Sequence, residues 1–273
     1  MGFSLNQFDY NLPESFIAQH SVEPRDSSRM LVLDKSDGHV KHYDFLDIVD
    51  LLHKGDVLVF NNTKVFKARL KCRNEKREFE LFLLRAVDSD FGSDWHALIY
   101  FSKRLNVGDV VDVFGSGDDV LKAKLVEKLS DGVMVLRFDI SFEKVISFAD
   151  RNGEIPLPPY VNEKINDADK YQTMYAKEVG SVAAPTAGFH FTERVLNKLR
   201  EKGVDIEYLT LHVGIGTFRP IFVDDLDDHV MHTEFVDISD DVAKRIEKAK
   251  SEGRRVVAVG TTTVRTLEGV NSL

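Results

Sequence analysis

The sequence has a single cysteine, Cys72, so an intrachain disulfide framework is excluded and a reducing compartment is expected. No apolar run approaches the roughly 18 residues needed to cross a membrane. The opening MGFSLNQFDYNLPES has no basic head leading into an apolar stretch, so no secretory signal is read there. Gly2 lacks the downstream Ser or Thr of a myristoylation site. The cytoplasm is the expected location. Positive charge is also in deficit: Lys plus Arg count 36 against 45 Asp plus Glu, for a net charge of −9. Such a balance argues against a generally nucleic-acid-binding surface, because neutralising phosphates takes Lys and Arg. What is present is ordinary for a folded chain. Of 273 residues, 43% are apolar, 10% aromatic and 30% charged, which excludes disordered, collagen-like and coiled-coil classes. One large or two modest domains fit that length.

The charge is uneven. Residues 64–77 hold Lys64, Lys67, Arg69, Lys71, Arg73, Lys76 and Arg77 against one acid, Glu75. Within that run Lys67, Arg69, Lys71 and Arg73 alternate with Ala68, Leu70 and Cys72, so period two gathers the cations on one strand face. They form either a solvated outer strand or a row of phosphate contacts about 6.6 Å apart.

Around this run the texture predicts an α/β body split by a β domain. Arg29–Asp34 and His39–Phe45 read as two strands joined at Ser36-Asp37-Gly38. Phe45, Ile48, Val49 and Leu52 recur at helical spacing up to Gly55. Asp56–Phe60 is a strand apolar enough to be buried on both faces. Six extended runs follow without a helix: 67–73, 78–87, 94–101, 109–114, 120–129 and 133–140. Turn signals at Gly92-Ser93, Gly108-Asp109, Gly115-Ser116-Gly117 and Asp131-Gly132 separate several of them, and a closed or nearly closed barrel accounts for them. A helix is predicted through Tyr171, Met174, Tyr175 and Lys177, and another over Glu193–Lys202. Then come a strand over Val204–Val213, a helix over Asp240–Glu252, a buried strand over Arg254–Val259 and a helix opening at Gly260. The expected architecture is a mixed-sheet α/β body (residues 1–62 and 141–273) with an inserted β-barrel-like domain (63–140).

Four stretches carry chemistry. GSVAAPTAGFHFT (180–192) lets backbone approach a ligand closely and sets His190 between Phe189 and Phe191; a tight loop capping a helix through Thr192 explains the same residues. LTLHVGIGTFRP (209–220) runs a strand into Gly214-Ile215-Gly216. The missing third glycine and Pro220 exclude a dinucleotide loop, but His212 at a strand end favours a ligand there. Asp224, Asp225, Asp227, Asp228, His229, His232 and Glu234 read as a metal cluster or as surface acidity with caps. Gly260-Thr261-Thr262-Thr263-Val264-Arg265 makes either an anion site or a plain cap, and lacks the Lys of a P-loop.

Taken in order, these and other strings resemble one family, the S-adenosylmethionine:tRNA ribosyltransferase-isomerases of queuosine biosynthesis. The strings are FDYNLPESFIAQ, RDSSRMLVLD, GDVLVFNNTKVFKARL, IPLPPY, DKYQTMYA, GSVAAPTAGFHFT, LTLHVGIGTFRP, HVMHTEF and AVGTTTVRTLE. They span nearly the whole chain. Departures are Ser21 for the usual proline, Phe189 and Ile215 for leucine and alanine, and Arg219 for glutamine. The resemblance also implies a C-terminally shortened body, with the surface near Val257, Val259 and Val264 partly uncovered.

The chemistry it implies uses S-adenosylmethionine as ribosyl donor and co-substrate, with no cofactor and no metal. The acceptor would be 7-aminomethyl-7-deazaguanine at the wobble position of a tRNA with a GUN-type anticodon, and the enzyme a monomer with no membrane partner. Epoxyqueuosine-tRNA, adenine and methionine would be the products. His190, His212 and Glu234 are then the candidate bases, Glu234 also balancing the sulfonium. Phe189, Phe191, Gly214, Gly216, Thr217 and Phe218 would surround the donor, with Thr261, Thr262 and Arg265 holding its carboxylate or a tRNA phosphate. Lys67, Arg69, Lys71 and Arg73 would contact tRNA. Two alternatives stand beside this: an inactive tRNA-binding protein, and a metal-dependent hydrolase built on His229 and His232.

Overall fold

The computed structural model describes residues 2–75, 77–87, 93–100, 105–158, 160–161 and 168–271. Lys76 of the basic run, Gly92 of a turn signal, Phe101 of a strand and Pro159 of IPLPPY lie outside the described residues. Strands β1 (Arg29–Leu33) and β2 (Val40–Asp44) form an antiparallel hairpin. Its turn closes because Asp34 Oδ1 accepts hydrogen bonds from the Ser36 amide and hydroxyl, and Gly38 supplies a φ of 73°. A short helix, α1 (Ile48–Leu51), leads into β3 (Val57–Asn61), where every residue is buried.

Strands β5 (Arg69–Arg73), β6 (Glu78–Val87), β7 (Ser93–Ile99), β8 (Val110–Phe114), β9 (Val120–Lys128) and β10 (Met134–Phe138) close into a barrel in the order β10-β7-β6-β5-β8-β9. Alternation along each strand sends Leu70, Cys72, Leu81, Leu83, Trp95 and Val113 into one core. Burial there pushes the Cys72 thiol up to about 12, which leaves it an inert apolar side chain. Helix α2 (Phe142–Asn152) joins this core through Val145, Phe148 and Ala149, and Phe142 stacks on Trp95 at 5.4 Å. The strand β4 (Thr63–Val65) just before the barrel takes no part in it, pairing in parallel with β11 (Glu178–Ser181).

The helix predicted through Tyr171, Met174, Tyr175 and Lys177 does not form. Ala168–Tyr171 is a single 3-10 turn. Beyond it Gln172 acts as a substitute strand partner: its side chain accepts from the Val65 amide at 3.1 Å and donates to the Val65 carbonyl at 2.7 Å. That long-range pairing overrides the local helical spacing.

The second sheet runs β13-β12-β3-β14, with β12 (Asp205–His212) and β14 (Val256–Ala258) parallel to β3 and β13 (Phe235–Asp237) antiparallel to β12. Helix α3 (Glu193–Lys202) packs Val195, Leu196 and Leu199 with Leu58 and Phe60. Helix α4 (Asp240–Ser251) packs Val242, Ile246 and Ala249 with Val57 and Val59. Alternate β3 side chains therefore meet helices on opposite faces, which is why the strand is apolar throughout. β14, a strand the sequence predicts to be buried, is half-buried because among the described residues it is an edge strand paired with β3 alone, and Val264 on α5 (Thr261–Asn271) is exposed.

Candidate active site

His212 ends β12 at the carboxyl edge of the parallel strands, the edge where open α/β sheets place ligands. Its ring lies against Phe235 of β13, centroids 5.3 Å apart. Nδ1 is 2.7 Å from Thr63 Oγ1 on β4, and that hydroxyl is 3.5 Å from the Glu178 carbonyl. Nε2 stands over Gly180, where an added Cβ would come within 2.6 Å of it; only glycine leaves room for the ring. Burial pushes the His212 pKa below its ordinary 6.5, against the opposing pull of Glu178 and Asp237, so the imidazole is neutral at pH 7.

The chain leaving His212 is held by a second cluster. The Gly214 amide donates to Glu234 Oε1 at 2.9 Å, and Arg265 on α5 donates to Glu234 Oε2 at 2.5 Å and to the His232 carbonyl. Glu234 is buried, so this ion pair satisfies a carboxylate that would otherwise be costly to desolvate. Gly216 passes under His232, which would clash with any side chain there. These residues and the barrel wall enclose a cleft of about 430 Å³ lined by His212, Gly214, His232, Glu234, Arg85 and His96. That is a small-molecule size.

Other expected site residues lie elsewhere. His190 lies at 5.1 Å from the Phe45 ring with Nδ1 3.4 Å from the Arg25 carbonyl. Phe191 is buried edge-on to Phe45 and Phe60, and with Thr192 and Glu193 it lines a separate cleft of about 450 Å³ beside Arg25 and Gln172. The face of Phe189 is already covered by the Arg25 guanidinium at 5.3 Å. Asp26 fixes this loop by accepting from Thr192 Oγ1 and Arg194. So the GFHFT stretch is buried at Phe191, half-buried at Phe189, His190 and Thr192, and lines a different cleft from that of His212. Phe218 is half-buried against Leu211 and Val213, and Thr217 is exposed. On α5 the Thr263 hydroxyl donates to the Val259 carbonyl before the helix and the Thr266 hydroxyl to the Thr262 carbonyl within it, Thr261 is exposed, and the buried Thr262 Oγ1 has no partner among the described residues. Arg265, expected to hold the donor carboxylate or a tRNA phosphate, bonds Glu234 and the His232 carbonyl in this structure.

The basic row is on β5 from Arg69 onward, with Arg69, Lys71 and Arg73 exposed and Lys67 half-buried just before it. Arg69 pairs with Glu80 at 2.7 Å, and Arg73 lies over the Phe114 ring. Arg69 and Lys71 border a larger cleft of about 1010 Å³ that also exposes Glu78, Glu80 and Glu154. The Asp224–Glu234 run does not gather: Asp225 caps a 3-10 turn, while His232 and Glu234 face the cleft. Among the described residues no three His, Cys, Asp or Glu side chains come together to hold a metal. Sequence reasoning missed Thr63, Arg85 and His96 as site residues, and it took Gly180 only as the start of the stretch in which backbone can approach a ligand closely.

A family model described as "Queuosine biosynthesis protein" matches residues 5–273. The S-adenosylmethionine:tRNA ribosyltransferase-isomerase of Desulfitobacterium hafniense is 49% identical over 270 residues, covering 97% of this chain and 76% of that protein. The enzyme of that name from Staphylococcus aureus strain JH9 is 43% identical, over 98% and 77%. The crystal structure of the Thermotoga maritima S-adenosylmethionine tRNA ribosyltransferase is 30% identical and aligns 98% of this chain with 73% of that one at a TM-score of 0.46. With a match over nearly its whole length and such identity to named members, the chain belongs to the queuosine biosynthesis protein family.

Proposed function

We propose that the protein is an S-adenosylmethionine:tRNA ribosyltransferase-isomerase. It moves the ribosyl group of S-adenosylmethionine to the aminomethyl group of 7-aminomethyl-7-deazaguanine at the wobble position of a GUN-anticodon tRNA. The products are epoxyqueuosine-tRNA, adenine and methionine, and the protein works as a cytoplasmic monomer. The observation that carries this reading is 49% identity over 97% of the chain to an enzyme of that name. The 430 Å³ cleft at His212 offers the reaction a place.

The sulfonium charge of the donor acidifies the adjacent ribose C5′ protons, so a neutral base can remove one. His212 fits that role best among His190, His212 and Glu234. With Nδ1–H donating to Thr63 Oγ1, and the Thr63 hydrogen turned to the Glu178 carbonyl, Nε2 keeps a lone pair, and the lack of a side chain at Gly180 keeps a methyl group off it. Glu234 is held by Arg265, which neutralises its charge, and by the Gly214 amide, so it positions the glycine loop beside the donor. Elimination of adenine, attack of the RNA amine, and epoxide closure with methionine leaving at sulfur complete the sequence. The sulfonium is the leaving group, so no outside oxidant is consumed. Lys67, Arg69, Lys71 and Arg73 assist by contacting tRNA phosphates, with Lys71 the least encumbered of the strand cations.

The test is to incubate the protein with S-adenosylmethionine and tRNA carrying the aminomethyl base. Adenine should appear in step with a mass gain on the RNA. Intact donor after prolonged incubation overturns the reading.

A further inference from the structure

The barrel wall of the His212 cleft presents a guanidinium and an imidazole to which the reaction above gives no task. Arg85 on β6 and His96 on β7 stand directly opposite each other in the antiparallel ladder, and both line the cleft. A β-bulge brings them there. The register shifts between Leu83, which faces Ala97, and Arg85, which faces His96, so Leu84 is an inserted residue. In regular pairing Leu84 would face His96, and Arg85 would face the fully buried Trp95 inside the barrel. The insertion turns a cation outward at the cleft rim, where it is exposed. No carboxylate among the described residues pairs with it. Burial and the Arg85 charge both keep His96 below its ordinary pKa, with Glu127 pulling the other way; the neutral ring can donate one hydrogen bond and accept another.

The cleft thus has two unlike walls. On the sheet side are His212, Gly214 and the neutralised Glu234–Arg265 pair; on the barrel side are a guanidinium with no carboxylate partner among the described residues and a neutral histidine. A cation at an exposed rim takes an anion that arrives from solvent. Two anions enter this reaction, the amino-acid carboxylate of the donor and the phosphodiesters beside the acceptor base. We infer that Arg85 and His96 hold the phosphodiester flanking the acceptor nucleotide, so that the barrel grips the RNA while the sheet edge grips the sulfonium donor. Building on the reaction proposed above, this makes the barrel half of the active site.

The experiment uses an anticodon stem-loop RNA bearing the aminomethyl base, with a phosphodiester or a neutral methylphosphonate on either side of that base. Adenine release and RNA binding are measured for the wild type, Arg85→Ala, Arg85→Lys and His96→Ala, after checking that all melt alike. Arg85→Ala should raise KM and Kd for the RNA about tenfold or more, the effect of losing a charged hydrogen bond, with kcat and donor KM within about twofold. Arg85→Lys should restore most of the loss, and His96→Ala should show a smaller change of the same kind. One methylphosphonate should weaken the wild type as much as Arg85→Ala does, and add nothing in that variant. Unchanged RNA affinity in Arg85→Ala overturns the inference, and so does a rise confined to the donor KM, which would give Arg85 to the carboxylate. Should the wild type bind the RNA but release no adenine, the reaction itself is wrong, and the Kd values alone decide the role of Arg85.

Discussion

Two stretches of this chain set a histidine among glycines and apolar residues, and the fold uses them in opposite ways. In Gly188-Phe189-His190-Phe191 the aromatic neighbours take the histidine with them into packing: Phe191 lies between Phe45 and Phe60, and His190 rests on Phe45. In His212-Val213-Gly214-Ile215-Gly216 the histidine ends a parallel strand and the glycines let the chain turn away, which leaves a cleft beside the ring. Aromatics on both sides of a histidine supply buried area and a reason to be inside. A strand end followed by glycines supplies room. On the proposed reaction the second pattern supplies the base, and the first supplies packing.

That contrast breaks most easily on turnover. His212→Ala should lower kcat for adenine release about 10²- to 10⁴-fold, the usual contribution of a general base. His190→Ala should leave kcat within about threefold while lowering stability by about 1–3 kcal/mol in thermal or urea melts. Equal turnover loss in the two variants would erase the distinction. Gly180→Ala comes next. Its methyl group would meet His212 Nε2, so kcat should drop about tenfold or more with little change in RNA affinity.

The pH profile sharpens the same point. Because the folded pKa of His212 lies below 6.5, kcat/KM should be level near pH 7 and fall as the pH drops through that depressed value. Stability has the same sign: below about pH 6.5 the unfolded ring takes a proton more readily than the folded one, so unfolding becomes easier as acid is added. His212→Ala should flatten part of that slope. The smallest effect belongs to the basic row. Lys71→Ala should reduce the slope of log tRNA affinity against log salt by about 0.7–0.9, and an unchanged slope would make the row a solvated face.

What the sequence made legible was whatever is encoded by local pattern. The hairpin turn at Ser36-Asp37-Gly38, the fully apolar β3, the alternating barrel strands and the helices begun by Thr192 and Ser239 all follow from neighbours in the chain. What it hid depends on distant partners. Gln172 bonds Val65 and cancels a helix. Arg265 reaches Glu234, thirty-one residues earlier in the chain. Leu84 is an insertion that only the β7 register reveals. Of the site, His212 and Gly214 were visible at a strand end, whereas Gly180 and Thr63 acquire meaning only when β11 and β4 meet over the ring.

The ordering of the β13-β12-β3-β14 sheet also has a consequence during biosynthesis. β3 leaves the ribosome by residue 61, yet its hydrogen-bonding neighbours start at residues 205 and 256. At 5–20 residues per second the greasiest strand of the molecule waits on the order of ten seconds for a partner. The barrel, whose pairings are all drawn from residues 69–138, completes in that interval. Nascent chains of this protein therefore expose β3 to chaperones while the strands of the barrel already have their partners.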